Sequence, residues 1–138
     1  MPVVRAAQAR RTRTPNGVMT TLASPTQGAA GHLLWRVELE PGRTGPFHAF
    51  DAEQIWSVLE GGATVELGDE RFRVGPGDTV VMPAGLPRQV TTTLESGLTA
   101  VVTAPTGTLA YNPTGVTEPD ACELAPRDTE RTAPPWTL

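Results

Sequence analysis

Glycine and proline set the strongest limit on what this chain can fold into. They supply 14 residues each to a length of 138, about a fifth of the sequence. Both residues break helix interiors, glycine through backbone entropy and proline through its missing N–H. A helical bundle is therefore excluded, and short strands joined by tight turns are favoured. The length fits one domain of ordinary size.

Between the turns the sequence alternates at period two, as a half-buried strand does. In LLWRVELE, Leu33, Trp35, Val37 and Leu39 fall on one face, with Arg36, Glu38 and Glu40 on the other. In QIWSVLE, Gln54, Trp56 and Val58 share a face. ATVEL, Gly68-Asp69 and ERFRV read as a hairpin with a two-residue turn, pairing Val65 with Phe72 and Glu66 with Arg71. Gly75-Pro76-Gly77-Asp78 marks another turn, and DTVVM, RQVTTT and LTAVVT complete the strand set. So many short strands with no helix between them predict an all-β antiparallel sandwich or barrel.

Three zones follow. Residues 1–27 form an N-terminal arm with one strand candidate, Val18–Ala23. Residues 28–110 hold the barrel strands. Residues 111–138 carry Pro113, Pro119, Pro126, Pro134 and Pro135 and are expected to form a strap or tail, with Trp136 hinting that it docks.

Charge and residue counts remove several functions. The net charge is -4, which argues against general nucleic-acid binding. All eleven basic residues are Arg, and Arg5, Arg10, Arg11 and Arg13 crowd the start with no acid among them. Arg10-Arg11 suggests twin-arginine export, yet the stretch that follows lacks an apolar core of secretory type. No run approaches about 18 apolar residues, so no membrane helix is expected. The chain reads as soluble and cytoplasmic. A single Cys, Cys122, excludes a disulfide scaffold and any multi-Cys zinc site. Two His, His32 and His48, leave little for a His-built metal centre.

Two spaced motifs carry a family resemblance. Gly42, five residues, His48, Ala49, Phe50, three residues, Gln54, six residues and Gly61 follow the spacing G-x5-H-x-H-x3-E-x6-G. Gly77, five residues, Pro83, Ala84, Gly85, two residues, Arg88, three residues and Thr92 follow G-x5-P-x-G-x2-H-x3-N. These are the two motifs of the cupin superfamily, which residues 31–104 resemble. The resemblance implies a small single-domain jelly-roll β-barrel with an internal pocket, pairing as a homodimer through sheet edges.

In most cupins, three His and one Glu hold a divalent metal in that pocket. Carried over by position, these sites are His48, Phe50, Gln54 and Arg88, and only His48 is a good ligand. Phe has no donor atom, and Arg stays protonated. No metal and no cofactor is therefore expected. His48, Gln54 and Arg88 become candidates for general acid–base chemistry and for stabilising an enolate oxygen. Trp35, Phe50, Trp56, Val58 and Met82 are the expected pocket walls, with Tyr111 at the mouth. The function so implied is isomerisation, cyclisation or dehydration of a small ketone-rich or aromatic metabolite, including polyketide-type compounds. The alternatives are a non-catalytic small-molecule-binding cupin and a metal-dependent dioxygenase or lyase with unusual ligands. Three local choices stay open: Arg88 paired with Glu53 or Glu60, a one-residue slip that turns Gln89 inward, and a barrel packed shut.

Overall fold

The computed structural model describes residues 3–113 and 131–138; Cys122 lies outside them. Eleven strands form among these residues: β1 (Arg10–Thr14), β2 (Gly17–Ala23), β3 (His32–Leu39), β4 (Ala49–Phe50), β5 (Gln54–Gly61), β6 (Ala63–Leu67), β7 (Glu70–Val74), β8 (Thr79–Met82), β9 (Arg88–Thr92), β10 (Leu98–Pro105) and β11 (Ala110–Tyr111). Two short 3-10 turns, Ala6–Gln8 and Pro135–Thr137, are the helical elements. No helix among the described residues is long and apolar enough to cross a membrane.

The strands build an all-β jelly roll. One layer is a six-stranded sheet in the order β1-β2-β3-β10-β5-β8. The other comprises β7-β6-β9 and the pair β11-β4. Every strand pairing is antiparallel. The predicted hairpin forms in the predicted register, with Val65 opposite Phe72 and Glu66 opposite Arg71. Gly68 in its turn has φ +57, a conformation that a side chain disfavours. Gly61 ends β5 at φ +78, where a Cβ would collide with the Gly97 carbonyl, so the motif glycine is needed at that corner.

The inner faces divide into two clusters. Val58, Ala63, Val65, Leu67, Val80, Met82, Val90, Leu98 and Ala100 pack together at one end. Leu33, Trp35, Val37, Val102, Ala104 and Trp136 pack together at the other.

Both ends of the chain depart from the expected picture. Residues 1–27 contain two strands, not one. β1 reads RRTRT with no apolar alternation, and it forms because Pro15-Asn16 turns the chain back to pair Thr14 with Gly17. Residues 131–138 return to the barrel. Thr132 bridges Ala110, and the main-chain oxygen of Trp136 accepts a 2.7 Å hydrogen bond from Thr21 Oγ1. The Leu138 oxygen accepts from Ser24 Oγ and Thr26 Oγ1, at 2.7 and 2.6 Å, and also from Arg10.

Candidate functional site

A cavity of about 240 Å³ opens beside the Trp-rich cluster. Its walls come from β3 (Trp35, Leu39), β4 (Phe50), β5 (Gln54, Trp56), β9 (Arg88, Val90), the β1–β2 hairpin (Thr14 to Asn16, Met19), the loop from Arg43 to His48, and Trp136. Six of the nine predicted site residues meet here: His48, Gln54, Arg88, Trp35, Phe50 and Trp56. The other three do not. Val58 and Met82 face inward as their strand parity requires, but they are sealed in the apolar core, although Met82 lies directly across from Gln54 on the neighbouring strand. Tyr111 is half-buried and holds the Arg131 guanidinium over its ring at 4.9 Å instead of lining the cavity.

Arg88 is the unusual residue of the site. Its side chain is 2% exposed, and no carboxylate among the described residues lies within ion-pair distance of it. This answers the open choice of an ion pair with Glu53 or Glu60. Main-chain carbonyls take its place: Nε donates to Leu86 at 3.1 Å, and Nη2 donates to Leu86 at 2.8 Å and Pro83 at 2.9 Å. Nη1 has no acceptor among the described residues. The guanidinium carbon lies 5.5 Å from the Phe50 ring centroid, a cation–π distance. Burial pulls its pKa down to about 10, while Tyr111 acts in the opposite direction. The group therefore stays charged at neutral pH. Gln89 is half-buried and donates from Nε2 to the Gly45 carbonyl at 3.0 Å, so the register has not slipped.

His48 is fastened to Arg88 through the main chain. The His48 N–H donates to the Arg88 carbonyl at 3.1 Å, and the Arg88 N–H donates to the His48 carbonyl at 2.8 Å. The imidazole meets Phe50 edge-on, with ring centroids 4.9 Å apart. Burial, reinforced by the Arg88 charge, lowers the His48 pKa from 6.5 to about 3. A neutral imidazole is the result, and its Nδ1 has no partner. Gln54 is 1% exposed; its Oε1 accepts from Trp56 Nε1 at 3.1 Å, and its Nε2 is unpartnered.

Buried polar groups are normally hydrogen-bonded, and each exception calls for a cause. Among the described residues, His48 Nδ1, Gln54 Nε2, Arg88 Nη1 and Trp136 Nε1 are all exceptions, and all belong to residues that line one cavity. A ligand with several carbonyl or enolate oxygens would answer the three donors, Gln54 Nε2, Arg88 Nη1 and Trp136 Nε1, and leave His48 Nδ1 as the acceptor of a proton.

A divalent metal does not fit the same positions. Phe50 offers no donor, and Arg88 would set a positive charge against the ion. The one Gln54 oxygen is already bonded to Trp56. No group of three or more His, Cys, Asp or Glu side chains suited to a metal occurs among the described residues. His32 is exposed at the start of β3, and Asp51 is committed to the Leu109 N–H at 2.8 Å.

Several lining residues escape a sequence reading. Arg43 and Thr44 sit in the loop before His48, where only the local string EPGRTGPFH marks them. Asn16 and Met19 are brought in by the β1–β2 hairpin, which turns at Pro15-Asn16. Trp136 is placed by contacts more than a hundred residues distant along the chain.

Comparison with known proteins agrees with this geometry. No curated protein matches the chain. Among solved structures, the polyketide cyclase RemF from Streptomyces resistomycificus is 27% identical, with a TM-score of 0.65 over 76% of this chain and 79% of that one. Vicilin from hazelnut, Corylus avellana, is 24% identical, with a TM-score of 0.70 over 87% of this chain and 39% of that one. Oxalate decarboxylase from Bacillus subtilis is 19% identical, with a TM-score of 0.64 over 72% of this chain, which spans only 28% of its length. At these lower identities the two larger proteins speak to the fold alone. The family model for the cupin domain matches residues 35–104, half of the chain. Motif spacing, jelly-roll topology and family model agree, and the chain belongs to the cupin family.

Proposed function

We propose that this cupin is an enzyme that cyclises or dehydrates a small, ketone-rich, polyketide-type metabolite by proton transfer, with no metal in the reaction. The observation that carries this reading is a buried Arg88 whose charge meets no carboxylate among the described residues, beside a neutral His48 and an unpartnered Gln54 amide. The likeness to a polyketide cyclase supports the substrate class.

The chemistry balances without a redox partner. His48 takes a proton from the carbon between two carbonyls, and the electron pair moves onto oxygen. Arg88 Nη1 and Gln54 Nε2 donate to that enolate oxygen, where preorganised donors have their largest effect. The enolate carbon then attacks a second carbonyl, and the new alkoxide takes the proton from the His48 imidazolium. Loss of hydroxide and a second proton as water gives the aromatic ring. With its pKa near 3, His48 alone is a weak base, so enolate stabilisation by Arg88 must supply much of the driving force.

A linear poly-β-ketone thioester, followed by chromatography and mass spectrometry, tests the reading. The protein should accelerate formation of one ring product, lighter by one water. Arg88→Met should lower the rate roughly 10²- to 10³-fold. His48→Gln should lower it roughly 10²- to 10⁴-fold. In the wild type, kcat/KM should show no acid limb between pH 7 and about pH 4.5, because His48 stays neutral there. A spontaneous product mixture at the spontaneous rate would sink the enzyme and leave a small-molecule-binding module.

A further inference from the structure

The geometry points to Trp136 as a specificity-determining residue whose indole N–H donates to an oxygen of the bound ligand. For the nature of that ligand, an aromatic compound bearing a ketone, the inference rests on the reading above.

Trp136 is 7% exposed, lines the cavity, and has no acceptor for Nε1 among the described residues. The neighbouring indole differs, since Trp56 Nε1 is satisfied inside the protein by Gln54 Oε1. The Trp136 N–H is buried, so bulk solvent does not answer it. An acceptor on a ligand in the cavity would reach it once the neighbouring wall side chains make room.

The indole is held as a rigid wall. Pro134 and Pro135 restrict the approach of the chain. Thr137 donates twice to the Pro134 carbonyl, from its N–H at 2.9 Å and from Oγ1 at 2.7 Å. Thr21 Oγ1 binds the Trp136 carbonyl, and Ser24 and Thr26 bind the Leu138 oxygen. The ring packs among Leu33, Trp35, Val37, Val102 and Ala104. Fixed in this way, Trp136 faces the same cavity as Trp35, Trp56 and Phe50, and four aromatic rings frame a space that suits a flat ligand. The segment from Arg131 to Leu138 thus contributes recognition as well as closure.

The test uses the full chain labelled with 15N. Its three Trp give three indole N–H resonances, assigned with Trp35→Phe and Trp56→Phe. The probes are 1-hydroxy-2-acetonaphthone and 2-ethylnaphthalene, which share a ring frame but differ in oxygens. Both ring systems shift the Trp136 resonance by ring current; the hydroxyketone should add the downfield displacement of a new hydrogen bond, and 2-ethylnaphthalene should not. Trp136→Phe should weaken hydroxyketone binding roughly 3- to 10-fold, the worth of one neutral hydrogen bond, and leave 2-ethylnaphthalene binding unchanged. Should that variant fail to fold, the wild-type resonance decides. Hydroxyketone binding without a downfield displacement of the Trp136 resonance beyond that given by 2-ethylnaphthalene overturns the inference, and so does failure of the hydroxyketone to bind. The thioester assay judges the enzyme reading separately in either case.

Discussion

One barrel has two interiors. Along β5, Gln54 and Trp56 face the cavity, while Val58, inward by the same parity, is sealed among Ala63, Val65, Leu67 and Val80. The filled end is built from apolar side chains alone and gains stability from their burial. The open end gathers four buried nitrogen groups without partners, each costing about 1–3 kcal/mol. Strand parity therefore decides inside from outside. Which strand carries an inward residue also decides whether it is core or site: Gln54 and Arg88 line the cavity, while Met82 and Leu67, opposite them on neighbouring strands, are core.

Val58→Ala should break the filled end and spare the open one. Val58 is buried in the core cluster opposite Ala100, and its truncation should cost about 1–3 kcal/mol. Denaturant midpoints would show that loss, while hydroxyketone affinity stays near wild type once the variant is held under folding conditions. A variant that keeps its stability but loses affinity would mean the two interiors are one.

The open end should also make stability depend on pH. The folded pKa of His48 is about 3 and its unfolded value 6.5, so between these values the unfolded chain binds the extra proton. Stability is then complete above about pH 6.5 and falls as the pH drops towards 3, by at most about 1.4 kcal/mol per pH unit. Denaturant unfolding between pH 7 and 5, where carboxylates stay charged, isolates this contribution. His48→Gln should flatten the slope, and Val58→Ala should keep it. An unchanged slope in His48→Gln would move the pH-sensitive group away from the cavity.

Strands and motif spacing were legible because their signals are local. The β6–β7 register follows from a two-residue turn, and His48, Phe50, Gln54 and Arg88 meet at one cavity as their spacing implied. Val58 and Met82 are core and not cavity wall because parity gives only the inward face; it does not say which inward residues their neighbours cover, and Met82 is covered although Gln54 opposite it is not. Tyr111 is not cavity wall either, because Arg131, twenty residues on, covers its ring. The state of Arg88 was also illegible. Its partners are carbonyls of its own loop, Pro83 and Leu86, and no charge pattern announces those. β1 and Trp136 depend on each other across the whole length of the chain, so no window of sequence contains both.

That mutual dependence supplies the smallest and most local test. Thr21 is fully buried, and its Oγ1 reaches the Trp136 carbonyl across 115 positions of sequence. Thr21→Val keeps the shape of the side chain and removes the donor, leaving a buried carbonyl short of its partner at a cost of about 1–2 kcal/mol. If residues 131–138 open as a unit, the loss should appear there first. The Thr137 N–H, bonded to the Pro134 carbonyl, should exchange with solvent roughly tenfold faster, while amides of the β6–β7 hairpin keep their protection. Hydroxyketone binding should weaken with it, because the wall that carries the indole has loosened. Equal acceleration in the hairpin would show instead that the closing segment is cooperative with the filled end, and the distinction between two interiors would not extend to their stability.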